Sequence, residues 1–234
     1  MKTIGIIGGM SFESTITYYK TINQAINDKL KSLNSAKILL YSVNSVNFEE
    51  IENLQSQDKW QEAAQILTQC AKKLELAGAN FIIIATNTMH KVFDEIQQNI
   101  NIPILHIAKS SAKALKQENI QKIGLLGTKY TMTQDFYKKM LIEENISVIT
   151  PSDEDIKIVN DIIFNELCKG EIKQDSKEKY LNIIKKLQEK GAKGVLLACT
   201  EIGLLISKND TNIKIFDTSL IHALDAANEA LKDL

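Results

Sequence analysis

The amino-acid sequence predicts an α/β protein with two pseudo-symmetric lobes, each a parallel sheet flanked by helices. An internal repeat is the first observation: residues 78–88 align without gaps with residues 191–201. Two shorter matches follow the same order along the chain, 4–9 with 123–128 and 101–106 with 212–217. The second observation is that short apolar runs alternate with longer stretches of helical periodicity, which is typical of a parallel sheet covered by helices.

Each element of the repeat has its own signal. Residues 4–9 form a short apolar run that predicts a strand, and a helix begins near Phe12. The stretch 60–76 has helical periodicity and precedes the continuous apolar run 81–85, and the stretch 177–190 precedes 194–198 in the same way. Such continuous apolar runs indicate strands buried on both faces. We therefore expect a first lobe at 1–110, a second at 111–211, and a final segment, 212–234, that returns to the first lobe.

Composition and charge exclude several classes of protein. The 234 residues carry 28 Lys or Arg and 29 Asp or Glu, for a net charge of −1, so neither nucleic acid nor an anionic membrane is an expected partner. The basic residues are all lysines, so a bidentate guanidinium grip on a carboxylate is not available. No apolar run approaches the roughly 18 residues of a membrane span, and no signal-peptide pattern opens the sequence. We expect a cytoplasmic protein.

Cysteines and histidines are few and scattered. Cys70 and Cys168 lie within helical patterns and are interpreted as packing residues, whereas Cys199 ends an apolar run and is the leading candidate for chemistry. No zinc spacing occurs, and His90, His106 and His222 are too dispersed to suggest a metal site, so no metal is expected. Glu166 is either a solvated helix end or a residue that supports the site.

The remaining candidates follow the ends of predicted strands, where parallel sheets bind ligands. The repeat puts Thr86 and Cys199 at equivalent positions, and facing lobes would put them on opposite sides of one cleft. The glycine turn lacks both the dinucleotide and the P-loop fingerprints; it is either a small-anion site or a turn in which Ser11 caps a helix. The threonines at strand ends, such as Thr86 and Thr128, are likewise either helix-capping or turn residues, or donors to a bound anion. The strand-end candidates are Gly9, Met10, Ser11, Thr86, Asn87, Thr88, Thr128, Cys199 and Thr200.

These stretches resemble the aspartate/glutamate racemase family, in particular its broad-specificity amino-acid racemases. The matching residues are 1–15, 86–92, 126–132 and 194–203. The resemblance implies a cofactor-independent racemase, a homodimer that acts on amino acids as small-molecule substrates, with an active site between two α/β lobes. It also implies two thiol bases on opposite faces of the α-carbon. This chain keeps Cys199 but has Thr86 in place of the other cysteine.

The resemblance further implies roles for the other residues. Asn87, Thr88 and Thr200 would hold the α-carboxylate with Thr128 nearby, and Gly9, Met10 and Ser11 would line the floor. Apart from the resemblance, the histidines are interpreted as structural residues, and a role of His90 and His106 in orienting the thiol or polarising the cleft is the alternative. The stretch 45–55 resembles the family's substrate loop, with Asn47 in place of an aspartate. It carries no basic residue, so Gln55 is its best polar candidate and strict aspartate specificity is not expected.

The expected function is slow, one-sided racemisation, because a threonine hydroxyl is a poor base near neutral pH. The resemblance implies that Cys199 faces the α-proton of L-amino acids and so favours exchange from them. Two alternatives stay open. The chain could be a single-cysteine decarboxylase or hydantoin racemase relative, or it could bind amino acids with little or no catalysis.

Overall fold

A computed structural model describes residues 1–31 and 33–234, and for residues 45–49 it describes the backbone alone. The chain divides into two compact units, residues 1–107 with 222–234 and residues 108–221. Both contain a four-stranded parallel sheet with helices between the strands. The predicted fold class is confirmed.

The first unit has the strand order β2-β1-β3-β4. The apolar strands β1 and β3 lie at the centre, which agrees with their continuous burial. The strands are β1 (Ile4–Gly8), β2 (Ile38–Ser42), β3 (Phe81–Ile84) and β4 (Ile104–Leu105). The helices up to the unit boundary are α1 (Phe12–Leu30), α2 (Ser45–Ser56), α3 (Trp60–Leu76), α4 (Phe93–Gln97) and the first residue of α5 (Ile107–Gln117), with a 3-10 turn at Thr88–Val92.

The second unit repeats this topology, with the order β6-β5-β7-β8. Its strands are β5 (Lys122–Gly127), β6 (Ser147–Ile149), β7 (Gly194–Ala198) and β8 (Lys214–Asp217). Its helices are the rest of α5, α6 (Lys129–Thr133), α7 (Asp135–Ile142), α8 (Asp153–Asn165), α9 (Gln174–Glu189), α10 (Ile202–Leu205) and the start of α11 (Thr218–Leu231), with a 3-10 turn at Leu167–Lys169. The three sequence matches therefore align β1 with β5, β3 with β7, and β4 with β8.

The end of the chain differs from the expectation. We expected residues 212–234 to return to the first lobe as one segment, but β8 pairs with β7 through Gly194↔Lys214 to Leu197↔Asp217. Of the segment 212–234, only residues 222–234 belong to the first unit. The reason is that β8 is the repeat partner of β4 and completes its own sheet. The alanine face of α11 then packs in the first unit's core through Ala223, Ala226, Ala227 and Ala230.

Helix α1 buries one face and exposes another. Tyr18, Ile22 and Ile26 are fully buried in the first unit's core, whereas Phe12, Ile16 and Tyr19 are more than half exposed. No helix in the described part of the chain is both long and apolar enough to cross a membrane.

Candidate active site

The glycine turn after β1 is held by its own backbone and by α1. Gly9 has φ +83°, and a Cβ there would lie 2.3 Å from the carbonyl oxygen of Val43, so glycine is required. The Gly9 amide donates to Thr15 Oγ1 over 2.8 Å, and Ser11 caps α1 by accepting from the Ser14 amide. Ser11 therefore has the capping role that the sequence left open, and Met10 beside it is buried.

Thr86 follows β3 at the same edge of the sheet. Strands β1 and β3 run parallel in register Ile7↔Ile84, so the turn after Gly8 and the segment after Ile84 lie at neighbouring strand ends. Asn87 and Thr88 are buried, while Thr86 is partly exposed. The structure thus brings the first unit's candidate residues together.

His90 links the Thr86 segment to the start of α5 through two hydrogen bonds. Its Nδ1 donates to the backbone oxygen of Thr86 over 2.8 Å, and its Nε2 accepts from the Ile107 amide at 3.3 Å. Burial, and then the neighbouring His106 and His222, hold the pKa of His90 well below its usual value. The ring is therefore neutral, and it is hydrogen-bonded to the backbone of Thr86.

The three histidines, far apart in the sequence, form one buried cluster. The ring centroid of His90 lies 4.6 Å from that of His106 and 5.9 Å from that of His222. His222 Nε2 donates to the Leu105 carbonyl, and its Nδ1 faces the Tyr18 hydroxyl, each over 2.9 Å. Within the described residues, no group of three or more His, Cys, Asp or Glu side chains is arranged to hold a metal ion.

Gln55 lies at the end of α2 and is buried beside the Thr86 segment. Its Nε2 is 4.0 Å from Met89 Sδ, in the 3-10 turn that follows Thr86. The structure therefore places Gln55 near the first unit's strand-end residues. The Asn47 side chain lies outside the described residues.

In the second unit, Thr128 and Cys199 follow neighbouring strands. The register Gly127↔Ala198 puts the ends of β5 and β7 side by side. Thr128 caps α6 by accepting from the Thr131 amide, while Cys199 and Thr200 are buried, with 7% and 8% of their surface exposed. Thr128, Cys199 and Thr200 therefore lie at neighbouring strand ends of the second unit.

Cys199 lies beside a buried carboxyl group, that of Glu201. Its Sγ donates to Glu201 Oε2 over 3.0 Å, and Thr200 Oγ1 donates to the same oxygen over 2.8 Å. Burial, followed by the negative charge of Glu201, raises the pKa of the Cys199 thiol well above its usual value. Burial and the nearby carboxylate both act against the thiolate, so Cys199 rests as the protonated thiol.

Sequence reasoning missed two carboxyl groups here. Glu201 is only 4% exposed, and Asp217 ends β8, the strand next to β7. Burial raises the pKa of Asp217, and the charge of Glu201 adds to this effect. The signal for Glu201 was present in the sequence, since it follows Cys199 and Thr200 directly, but its contact with the thiol depends on the turn after β7.

The other acid and thiol candidates have mainly structural contacts. Glu166 accepts from Ser176 Oγ over 2.6 Å and lies 3.7 Å from Lys173 Nζ, so it ties the end of α8 to α9. Cys70 is buried in the first unit's core, and Cys168 packs partly buried against the second. Both cysteines are where packing residues belong.

The fold and these strand-end segments define a class: a two-unit α/β protein that collects hydroxyl, amide and thiol groups at the carboxyl ends of its central strands. The family model described as Asp/Glu/Hydantoin racemase matches residues 7–229. The chain therefore belongs to the Asp/Glu/Hydantoin racemase family, a family of isomerases. The resemblance seen in the sequence is confirmed.

Individual relatives agree with this assignment. The chain is 27% identical to the broad-specificity amino-acid racemase RacX of Bacillus subtilis (strain 168), covering 92% of both proteins. A crystal structure of a putative Asp/Glu racemase from Yersinia pestis has a TM-score of 0.91 at 51% identity and covers 99% of this chain and 100% of its own. An aspartate racemase homologue from Pyrococcus horikoshii OT3 has a TM-score of 0.84 at 39% identity, with coverage of 99% and 100%.

Proposed function

We propose that this protein is a cofactor-independent amino-acid racemase in which Cys199 is the main base and acid and Thr86 takes the place of a second cysteine. The observation that carries this proposal is the equivalence of the two positions. Thr86 follows β3 and Cys199 follows β7, and these strands have the same place in two sheets of the same topology. A reaction that inverts a carbon centre needs one group on each of its faces.

The proposed reaction starts with the Cys199 thiolate, which removes the α-proton of an L-amino acid and becomes a thiol. The resulting carbanion then receives a proton on the opposite face from the Thr86 hydroxyl or from water held by it. Because that hydroxyl is a poor proton carrier near neutral pH, we expect slow inversion and faster return of a proton to the Cys199 face. Deuterium should therefore enter L-substrates faster than the D-isomer forms.

Substrate binding is proposed to use neutral groups. Asn87, Thr88 and Thr200 would hold the α-carboxylate, Thr128 would lie nearby, and the turn at Gly9, Met10 and Ser11 would line the floor. Buried amides and hydroxyls suit this task because they donate hydrogen bonds without a counter-charge. With Gln55 as the side-chain contact, neutral amino acids are favoured over aspartate and glutamate.

We further propose a homodimer in the cytoplasm. The exposed side chains of Phe12, Ile16 and Tyr19 recur at helical spacing on α1, and a groove of about 570 Å³ beside Ile16 and Leu224 adjoins them. An apolar helix face of this kind is typical of subunit contacts.

Light scattering on the wild type and on Ile16→Lys should show a dimer that the substitution dissociates; a wild-type monomer would refute the dimer. Cys70, Cys168 and Cys199 are not joined in disulfide bonds, in keeping with a reducing compartment.

The test is α-proton exchange in deuterated water, followed by proton NMR without added cofactor. The panel contains L- and D-forms of aspartate, glutamate, homoserine, serine and lysine. We expect exchange with at least one L-amino acid, its loss in Cys199→Ser, and its retention in the matched control Cys70→Ser. Binding without exchange across the panel would refute the racemase.

One observation favours a second candidate. Burial and Glu201 keep the resting thiol of Cys199 protonated, and a single protonated thiol suits a decarboxylase that only has to deliver one proton to a carbanion. Arylmalonates belong in the same NMR experiment for this reason. Decarboxylation of these compounds without exchange of any amino acid would favour the decarboxylase.

A further inference from the structure

Glu201 occupies a position from which it can control the protonation of Cys199. One carboxylate oxygen, Oε2, accepts both the Cys199 thiol at 3.0 Å and the Thr200 hydroxyl at 2.8 Å. All three residues are buried, so their hydrogen bonds lie where a charged group without a partner is costly. The thiol proton therefore points at an acceptor that is already in place.

We propose that Glu201 is the proton acceptor of Cys199: its carboxylate takes the thiol proton when the thiolate forms and releases that proton to water when the site resets after inversion. This inference rests on the proposed racemase function and deepens it. Glu201 acts through the sulfur and has no assigned contact with the substrate.

The proton count of this pair is simple. Cys199 and Glu201 share one proton and carry one negative charge between them, either as thiol and carboxylate or as thiolate and carboxylic acid. Transfer breaks the S–H bond and forms an O–H bond on Oε2. The thiolate then takes the α-proton and becomes a thiol again. Resetting after inversion releases the proton of Glu201 to water, while water restores the proton spent on the Thr86 side.

The electrostatics explain why a paired acceptor is needed. A charged Glu201 opposes a second negative charge on Sγ, and burial opposes it further. When Glu201 accepts the proton it becomes neutral, so the thiolate forms without a second anion beside it. The buried pair never has to hold two charges.

The first test is Glu201→Gln, which keeps the size and polarity of the side chain but cannot accept a proton from the thiol. We expect kcat for α-proton exchange to fall by about 100-fold or more, as for loss of a general base, with KM unchanged. Because a negative charge is removed, the pKa of the Cys199 thiol should fall. It is read from the pH dependence of iodoacetamide alkylation at the Cys199 peptide. Glu178→Gln, an exposed site on α9, is the matched control.

The outcomes separate the possible roles. Wild-type exchange in Glu201→Gln overturns the proposal. Lost exchange with an unchanged thiol pKa also overturns it, because a purely structural residue would give that result. If Glu201→Gln does not fold, Glu201→Asp decides: the shortened carboxylate should slow exchange about tenfold while the thiol pKa stays raised, and wild-type rates would overturn the proposal.

Failure of the racemase function itself looks different. A wild type that exchanges no amino acid would refute the proposed function. The alkylation profiles of the wild type and of Glu201→Gln would still report whether Glu201 controls the thiol, and identical profiles would overturn the inference.

Discussion

The neutral imidazole of His90 donates from Nδ1 to the backbone oxygen of Thr86 over 2.8 Å. Its Nε2 accepts from the Ile107 amide, so the two ring nitrogens have opposite roles and the Nδ1–H tautomer is defined. The backbone that carries the Thr86 hydroxyl is thus held by a histidine in the 3-10 turn that follows it. Because the link runs through backbone atoms, it can be tested without changing Thr86.

Two substitutions of His90 separate its two hydrogen bonds. In His90→Asn the amide nitrogen replaces Nδ1 and can still donate to Thr86, whereas in His90→Gln the amide oxygen replaces Nε2 and retains only the Ile107 contact. We expect His90→Gln to lower the ratio of racemisation to one-sided exchange by about tenfold, and His90→Asn to preserve it. Polarimetry and NMR exchange on the same samples give this ratio. Equal ratios in both variants would contradict a positioning role.

Thr86 itself should control inversion and leave the opposite face intact. Thr86→Val removes the hydroxyl at nearly constant volume, so we expect racemisation to disappear while deuterium still enters L-substrates. Thr86→Cys supplies a thiol and should raise the rate of racemisation by about 100-fold, since thiols carry protons better than hydroxyls near neutral pH. Chiral chromatography measures the product. Racemisation by Thr86→Val at the wild-type rate would exclude Thr86 from the reaction.

The histidine cluster should make the first unit sensitive to acid. Burial lowers the pKa of His222 to about 4, so the folded protein resists a proton that the unfolded chain accepts below about pH 6.5. The free energy of unfolding is therefore unaffected by His222 above about pH 6.5 and decreases as the pH falls toward 4. At pH 5 the titration of His222 has lowered the free energy of unfolding by about 2 kcal/mol.

Urea unfolding at pH 7 and pH 5 measures this effect, with the fluorescence of Trp60 as the probe, since the chain has one tryptophan and it lies in the first unit. In His222→Gln, which cannot titrate, the difference between the two pH values should shrink by about 2 kcal/mol. An unchanged difference would mean that His222 does not carry the acid sensitivity.

Gln55 should influence which amino acid is accepted. Gln55→Arg adds a guanidinium near the Thr86 segment, which can bind a second carboxylate in bidentate fashion. We expect kcat/KM for aspartate or glutamate, relative to a neutral amino acid, to rise by about tenfold or more. Gln57→Arg, exposed just beyond the end of α2, is the control. The same substrate ranking in all three proteins would remove Gln55 from the specificity argument.

The glycine turn can be tested by a matched pair of alanine substitutions. Gly9 and Gly78 both have positive φ, +83° and +94°, but only at Gly9 would the new Cβ meet backbone, 2.3 Å from the Val43 carbonyl oxygen. Both variants carry backbone strain, and Gly9→Ala adds steric overlap, so it should destabilise the first unit by at least about 2 kcal/mol more than Gly78→Ala. Trp60 fluorescence during urea unfolding measures both. Equal losses would show that the turn relaxes.

Much of the fold could be predicted because its signals are local. The runs 81–85 and 194–198 correspond to β3 and β7, and the helical stretch 60–76 corresponds to α3. Buried parallel strands require continuous apolar residues, so the sequence reveals them directly. The return of the last segment was harder to predict, since the pairing of β8 with β7 brings together residues that are separated in the chain.

The sequence by itself determined the repeated α/β topology, the family, and the equivalence of Thr86 and Cys199, because repeats and strand-end motifs are patterns along the chain. Only the tertiary structure decided what surrounds those two residues. It gathered His90, His106 and His222 into one buried cluster, and it set Glu201 against the Cys199 thiol. Protonation depends on burial and on distances between side chains, and those quantities arise only when the folded chain brings distant residues together.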